Sequence, residues 1–257
     1  MVFSPIAPQS PAIILVEPRS PGNIGMVCRA MANFGATDLR LVNPCQHLHP
    51  EAHKFAVFAQ ELLGRARVYP DLTAALADLH LSVATTRRGG RLRGDPVPAA
   101  GVPALLRGFP LGTRFGLVFG REDAGLTSAE VALCTHASAI PTAVDGSLNL
   151  AQAVLVYLYE LSRTAGAEMI EGQNSRELPT QDEVEAMFGQ MEGVLERIGF
   201  LNSARPQVRS GQLRQLLLRA RPSRGEISLL RGLWDQLAWS INDWRGRRRG
   251  TKIDESH

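Results

Sequence analysis

The chain has 257 residues, 44% of them hydrophobic, with 28 Lys and Arg against 25 Asp and Glu, a formal net charge of +3. That length suits one large domain or a domain with a smaller appendage, and no apolar run approaches the roughly 18 to 20 residues of a bilayer span, which argues against a membrane protein. Cys28, Cys45 and Cys134 are odd in number, far apart and without CxxC spacing, so they read as buried thiols, with neither a disulfide framework nor a metal site expected.

Pro5, Pro8 and Pro11 stand where a secretory leader would have basic residues before an apolar segment, so a cytoplasmic protein is expected. Short apolar runs then alternate with helical patterns: AIILVE (12–17), GNIGMVCRAMANFG (22–35), DLRLVNP (38–44) and a helix over 51–63. The rhythm continues with a brief strand near Val68, a helix over 71–79, LSVATT (81–86), FGLVFG (115–120), a helix from about Thr127, ASAI (137–140) and a long helix from about Leu148. Strands this apolar are buried on both faces, which predicts an α/β fold with a mostly parallel sheet covered by helices. The helix NLAQAVLVYLYEL (149–161) is apolar nearly all round and reads as a deep core element or, preferred here, a homodimer contact.

EGQNSRELPT (171–180) reads as a linker, after which the strand signals stop and helical periodicity covers 181–198, 208–220 and 225–244, punctuated by Pro206 and Pro222. From Arg205 to Lys252 there are twelve basic residues, eleven of them arginine, against Glu226, Asp235 and Asp243. A guanidinium-rich tail on a mildly acidic body suits a nucleic-acid partner, with plain solvated charge as the alternative.

Three strand-to-loop segments carry the chemistry. In LVFGREDAGLT (117–127) the spacing Gly120 to Gly125 imitates a phosphate loop, yet Leu126 stands where the lysine belongs, and Glu122 and Asp123 would repel a triphosphate. An uncharged or cationic ligand suits it; a tight turn with solvated charges is the competing reading. In PGNIGMVCRAMANFG (21–35) Gly22 and Gly25 permit close backbone approach, and Asn23 and Arg29 lie about one and a half helical turns apart. Arg29 either finds a partner or snorkels to the surface. In AIPTAVDGSLNLAQAV (139–154) Ser147 is the expected N-cap of the following helix, and Asn149 sits in its first turn.

Together N-x-G-x-x-x-R, L-V-F-G-x-E-x-x-G-L and I-P followed by S-L-N-L-A-Q-A-V resemble, in order and spacing, the three motifs of the SPOUT RNA methyltransferases of the SpoU class. Within that superfamily the chain is similar to the TrmJ branch, which 2′-O-methylates tRNA at nucleotide 32 of the anticodon loop. RQLLLRARPSRGEISLLRGLWDQL (214–237) resembles that branch's helical extension.

The resemblance implies a SPOUT domain over 1–168 with a C-terminal trefoil knot, a linker over 169–180 and a small helical basic extension for tRNA over 181–257. It implies S-adenosylmethionine held by Thr85, Thr86, Arg87, Gly120, Ile140, Gly146, Ser147 and Leu148, and a reaction site of Arg29, Asn23, Glu122, Ser147 and Asn149. Guanidinium keeps its proton near neutral pH, so Arg29 is expected to clamp a phosphate and orient the ribose hydroxyl. RNA contacts are expected from Arg29, from Arg88, Arg91 and Arg93 in RRGGRLRGDP, and from Arg214, Arg219 and Arg221, with tRNA as partner and neither DNA nor membrane. The chain departs from the branch at Ala84, Thr85 and Thr86, where relatives tend to carry a glycine-threonine-serine run. Competing readings are a sister activity on ribosomal RNA or another tRNA position, an RNA-binding protein that has lost catalysis and, last, a nucleotide hydrolase.

Overall fold

The computed structural model describes residues 10–86, 96–110, 112–143, 148–164, 177–201 and 206–243. Its sheet strands are β1 (Ala12–Val16), β2 (Asp38–Val42), β3 (Arg67–Tyr69), β4 (Leu81–Thr85), β5 (Val97–Pro98), β6 (Phe115–Phe119) and β7 (His136–Ala139). All are parallel, in the order β3-β2-β1-β6-β4-β7-β5. The helices are α1 (Pro21–Asn33), α2 (Pro50–Ala56), α3 (Gln60–Gly64), α4 (Leu72–Leu76), α5 (Val102–Arg107), α6 (Ser128–Leu133), α7 (Leu150–Thr164), α8 (Gln181–Arg197), α9 (Pro206–Arg219) and α10 (Arg224–Asp243). The α/β architecture expected from the alternating runs is the one found.

Successive side chains of a strand point to opposite faces, and the sheet uses both. Ile13, Leu15, Phe115, Leu117 and Phe119 enter one core with residues of α1, α2, α3 and α7. Ile14, Val16 and Val118 enter a second core with Leu72, Ala75 and Leu76 of α4. All five residues of β1 and of β6 are buried, which is why these strands read as unbroken apolar runs. Arg40 of β2 is the exception that the apolar reading passed over. Only 2% exposed, it is paired with Asp38 and Asp78 and donates to the Ala75 carbonyl at 2.7 Å.

The helix expected over 51–63 is broken. Val57 sits at φ 54° between α2 and a single 3-10 turn (Val57–Ala59) that leads into α3. Ala52, Ala56, Ala59 and Leu63 are nevertheless all buried, so the periodicity of one helix survives the break. The strand β5 and helix α5 had no signal strong enough to be read. Pro206, expected as punctuation, instead opens α9, where a missing N–H costs nothing.

Between the first two helices a glycine is required at Gly25. A Cβ there would lie 2.2 Å from the Ala52 carbonyl oxygen, so α1 and α2 cross with their backbones in contact. Two of the thiols, Cys28 and Cys134, are buried as expected, whereas Cys45 is half-exposed. Burial pushes the Cys28 thiol up to about 12, which makes it inert.

The chain divides into two compact units, Met1–Asp182 and Glu183–His257. In the second, Val184, Met187, Phe188, Met191 and Leu195 of α8 form a core with Leu201 and Ile227, against which Leu213, Leu217, Leu230 and Trp234 pack.

Candidate active site

From β1 the chain winds outward through β2 and β3, then crosses to the other side and returns as β6 beside β1. Beyond the C-terminal ends of two such strands lies the crevice where open parallel sheets bind ligands. Here the segment after β1 and the loop after β6 meet. Ser20 caps α1, its hydroxyl accepting from the Asn23 N–H at 3.3 Å, and Asn23 is left on the buried side of the first turn.

Glu122, from the loop after β6, reaches across to that turn. Its carboxylate accepts from the Arg19 N–H (2.9 Å), the Ser20 N–H (3.1 Å) and Asn23 Nδ2 (3.0 Å). Asn149 arrives from the third segment, its Nδ2 donating to Asn23 Oδ1 at 2.8 Å. Glu122, Asn23 and Asn149 thus form one hydrogen-bonded chain that joins all three motifs. Asn149 is also the cap of α7, its Oδ1 accepting from the Ala151 N–H and its own N–H donating to Gln152. The helix was expected to begin near Leu148 with Ser147 as its cap; it begins at Leu150, because Asn149 supplies the capping oxygen.

Burial raises the Glu122 carboxyl, but the hydrogen bonds from Asn23 and the Arg19 and Ser20 N–H groups outweigh it and hold the group below its ordinary value of 4.5. A depressed carboxyl stabilises the fold above its unfolded pKa and loses that contribution as pH falls through the lower folded value. Urea unfolding of the native protein and Glu122→Gln is therefore expected to show a stability gap at pH 6 that narrows steadily as pH drops below 4.5. A gap that stayed constant would mean that the charge on Glu122 contributes nothing.

The charged neighbours of Glu122 are also taken up by the protein. Arg121 pairs with Glu17 at 2.8 Å and Glu130 at 2.9 Å, and Asp123 pairs with Arg19 at the more exposed edge. Gly120 is required by close approach, since a Cβ there would stand 2.1 Å from the carbonyl carbon of Gly125 and 2.3 Å from the Leu126 nitrogen. The loop returns on itself through Arg121 and Gly125, whose backbones bond both ways, with Gly125 at φ 69°. The pairing of Arg121 with Glu17 and Glu130 cannot be read from the sequence, because a charge at a loop gives no periodic signal.

Thr85 donates its hydroxyl to the Val118 carbonyl at 2.9 Å, and the Thr86 N–H donates to the Ser138 carbonyl at 2.9 Å. The Ser138 hydroxyl in turn accepts from Tyr157 at 2.9 Å, so the exits of β4, β6 and β7 are tied to α7. Ile140 is half-buried after β7, and Leu148 is exposed ahead of α7. Arg29 lies on the exposed side of α1 and makes no hydrogen bond or ion pair with any described residue. Arg87, Arg88, Arg91, Arg93, Gly146 and Ser147 lie outside the described residues.

In the second unit Arg214 is drawn inward. It pairs with Glu185 and stacks over the Phe188 ring, 4.2 Å from its centroid. Arg219 and Arg221 are exposed.

Comparison with known proteins covers both units. The model of the SpoU rRNA Methylase family matches residues 10–159, and that of the tRNA methyltransferase TrmJ, C-terminal domain, matches residues 182–248. The tRNA (cytidine/uridine-2′-O-)-methyltransferase TrmJ of Yersinia pestis (strain Pestoides F) is 35% identical over 236 residues, spanning 86% of this chain and 88% of the relative. The protein of the same name from Escherichia coli O1:K1 / APEC is also 35% identical over 236 residues, spanning 88% and 94%. The crystal structure of TrmJ from Z. mobilis ZM4 is similar with a TM-score of 0.77 at 37% identity, covering 89% of this chain and 99% of that one.

Proposed function

Since the chain belongs to the SpoU methylase family, in its TrmJ branch, we propose that it transfers a methyl group from S-adenosylmethionine to the ribose 2′-hydroxyl of nucleotide 32 in the tRNA anticodon loop. One observation carries the reading: Glu122, Asn23 and Asn149 close into a single hydrogen-bonded chain over the crevice beyond β1 and β6.

The residues at that crevice suit such a donor. Gly120, Ile140, Leu148 and Thr86 are neutral, Leu126 stands where a phosphate loop has its lysine, and the carboxylate of Glu122 is engaged by the protein itself. S-adenosylmethionine when bound supplies a methyl group on a sulfonium. Gly120, Ile140 and Leu148 would hold it, together with Thr85 and Thr86 and with Arg87, Gly146 and Ser147. Asn23 and Glu122 fix the first turn of α1 and so fix the helix that carries Arg29. Arg29, exposed and without a partner among the described residues, grips the phosphate beside the target ribose through its fork and orients the 2′-hydroxyl. The hydroxyl proton passes to that phosphate or to water, because the guanidinium keeps its own.

The trefoil knot belongs to the same reading, as does a division of labour in which residues 1–168 bind donor and catalyse while residues 181–257 grip tRNA. So does a homodimer: α7 buries Val154, Tyr157, Leu158 and Leu161 but leaves Leu155 and Tyr159 exposed, a second apolar edge suited to another copy. No described helix is long and apolar enough to cross a membrane, and the tRNA substrate would place the protein in the cytoplasm.

Incubation with labelled S-adenosylmethionine and total tRNA or ribosomal RNA, followed by mapping, tests the proposal. Label at nucleotide 32 is expected. Label confined to ribosomal RNA or to another tRNA position overturns the branch-level reading, and absence of donor binding overturns the whole. Arginine contacts to phosphate also imply that tRNA affinity falls with salt, by roughly 0.9 log units per neutralised phosphate per decade in duplex regions. Replacing Arg219 and Arg221 with Gln is expected to lower that slope by about 1 to 2 units in a filter-binding titration.

A further inference from the structure

Three consecutive residues of the loop after β6 each bond to the segment that follows β1. Arg121 takes Glu17, Glu122 takes the N–H groups of Arg19 and Ser20, and Asp123 takes the Arg19 side chain. Arg121 and Glu122 are both partly buried, whereas Asp123 is exposed. The Nε and Nη2 of Arg121 meet the Glu17 carboxylate at 2.9 and 2.8 Å, while Nη1 and Nη2 meet Glu130 at 3.1 and 2.9 Å, a two-sided fork on two carboxylates. Its side chain is 12% exposed.

Both partners are themselves fixed. Glu130 closes the capping box of α6, its Oε2 accepting from the Thr127 N–H at 2.7 Å. Glu17 stands at φ 46°, a conformation that a non-glycine residue keeps only where its surroundings enforce it, and its N–H donates to the Val42 carbonyl at 2.8 Å. Arg121 therefore binds the end of β1 and the start of α6 to the loop that bears Gly120 and Glu122.

We infer that Arg121 is a positioning residue for methyl transfer, acting through Glu122: it anchors the donor-side loop to the segment leading into α1, and so registers Arg29 against the donor. This rests on the function proposed above. The reacting groups of a displacement must be aligned closely, and a shift of about 1 Å can cost on the order of a hundredfold in rate. Arg121 touches neither substrate nor donor in this account.

Arg121→Met is expected to lower kcat on tRNA by about ten- to a hundredfold, with Arg121→Lys, which keeps the charge without the fork, intermediate. Arg40→Met serves as the matched control, since Arg40 is likewise paired with two carboxylates but lies in the sheet interior; it should lose stability and keep its kcat. A double variant of Arg121→Met with Glu122→Gln should be no slower than Glu122→Gln alone, because the two residues act in series. Glu17→Gln loosens one side of the fork at a partly exposed position, so a several-fold loss of kcat there carries the test if Arg121→Met does not fold. Hydrogen exchange at the Arg19 and Ser20 amides gives a readout that needs no substrate, and it should accelerate about tenfold in Arg121→Met. Unchanged exchange, strictly additive kcat losses, or an equal kcat loss in Arg40→Met would each overturn the inference. A native protein that methylates no RNA would retire the functional reading, while faster exchange would still show the anchoring.

Discussion

Gly120→Ala is expected to abolish methyl transfer and to destabilise the protein by about 3 kcal/mol or more, the upper end of overpacking costs. The added methyl would meet backbone, 2.1 Å from the Gly125 carbonyl carbon, 2.3 Å from the Leu126 nitrogen and 2.4 Å from the Gly125 oxygen. A flexible side chain can step aside from such a clash; a peptide held by a two-way bridge between Arg121 and Gly125 cannot. The loop must open, and with it the placement of Glu122 over the first turn of α1. Thermal unfolding followed by circular dichroism, together with donor binding by calorimetry, checks both halves. Native affinity for S-adenosylmethionine in this variant would show that the loop is not where the donor is held.

Arg29→Ala is expected to leave stability nearly unchanged and still to cut activity severely. Arg29 is exposed and bonds to no described residue, so its removal should move stability by less than about 0.5 kcal/mol. Methyl transfer should nevertheless fall by about a hundred- to a thousandfold, the range for losing one well-placed donor at a reacting centre. Arg29→Lys should recover little of this, since a point charge does not reproduce the fork. Single-turnover rates at saturating tRNA, beside urea midpoints, separate the two effects. Full activity of Arg29→Lys would sink the clamp and leave charge alone as what the reaction needs.

The strands of the sheet were legible because burial on both faces leaves an uninterrupted apolar signature, as in AIILV and FGLVF. Helix ends were less so. Val57 breaks a helix whose buried positions still repeat correctly, and Asn149 took the capping role expected of Ser147 because cap chemistry alone ranks the two alike. For the site, Asn23, Glu122 and Asn149 were named from three motifs, but the bond that joins Asn149 to Asn23 could not be read from spacing. Direct bonding also accounts for the acidic loop, where Glu122 is taken up by the first turn of α1 and Asp123 pairs with Arg19 at the exposed edge. The pairing of Arg121 with Glu17 went unread for a related reason, since an ion pair between distant loops leaves no trace in either loop by itself. Arg40 hid inside a strand where Leu39, Leu41 and Val42 satisfied the apolar pattern.

The bond from Asn23 to Glu122 spans 99 positions of chain, and that from Asn149 to Asn23 spans 126. Loop-closure entropy opposes both until β1 and β6 have paired, so neither bond can guide early collapse. Catalytic competence must then be among the last properties a newly made molecule acquires, well after its helices and outer strands have formed. In a refolding time course, recovery of ellipticity should run ahead of recovery of methyl transfer, and a ribosome-released fragment ending before α7 should be inert however much of the sheet it has built.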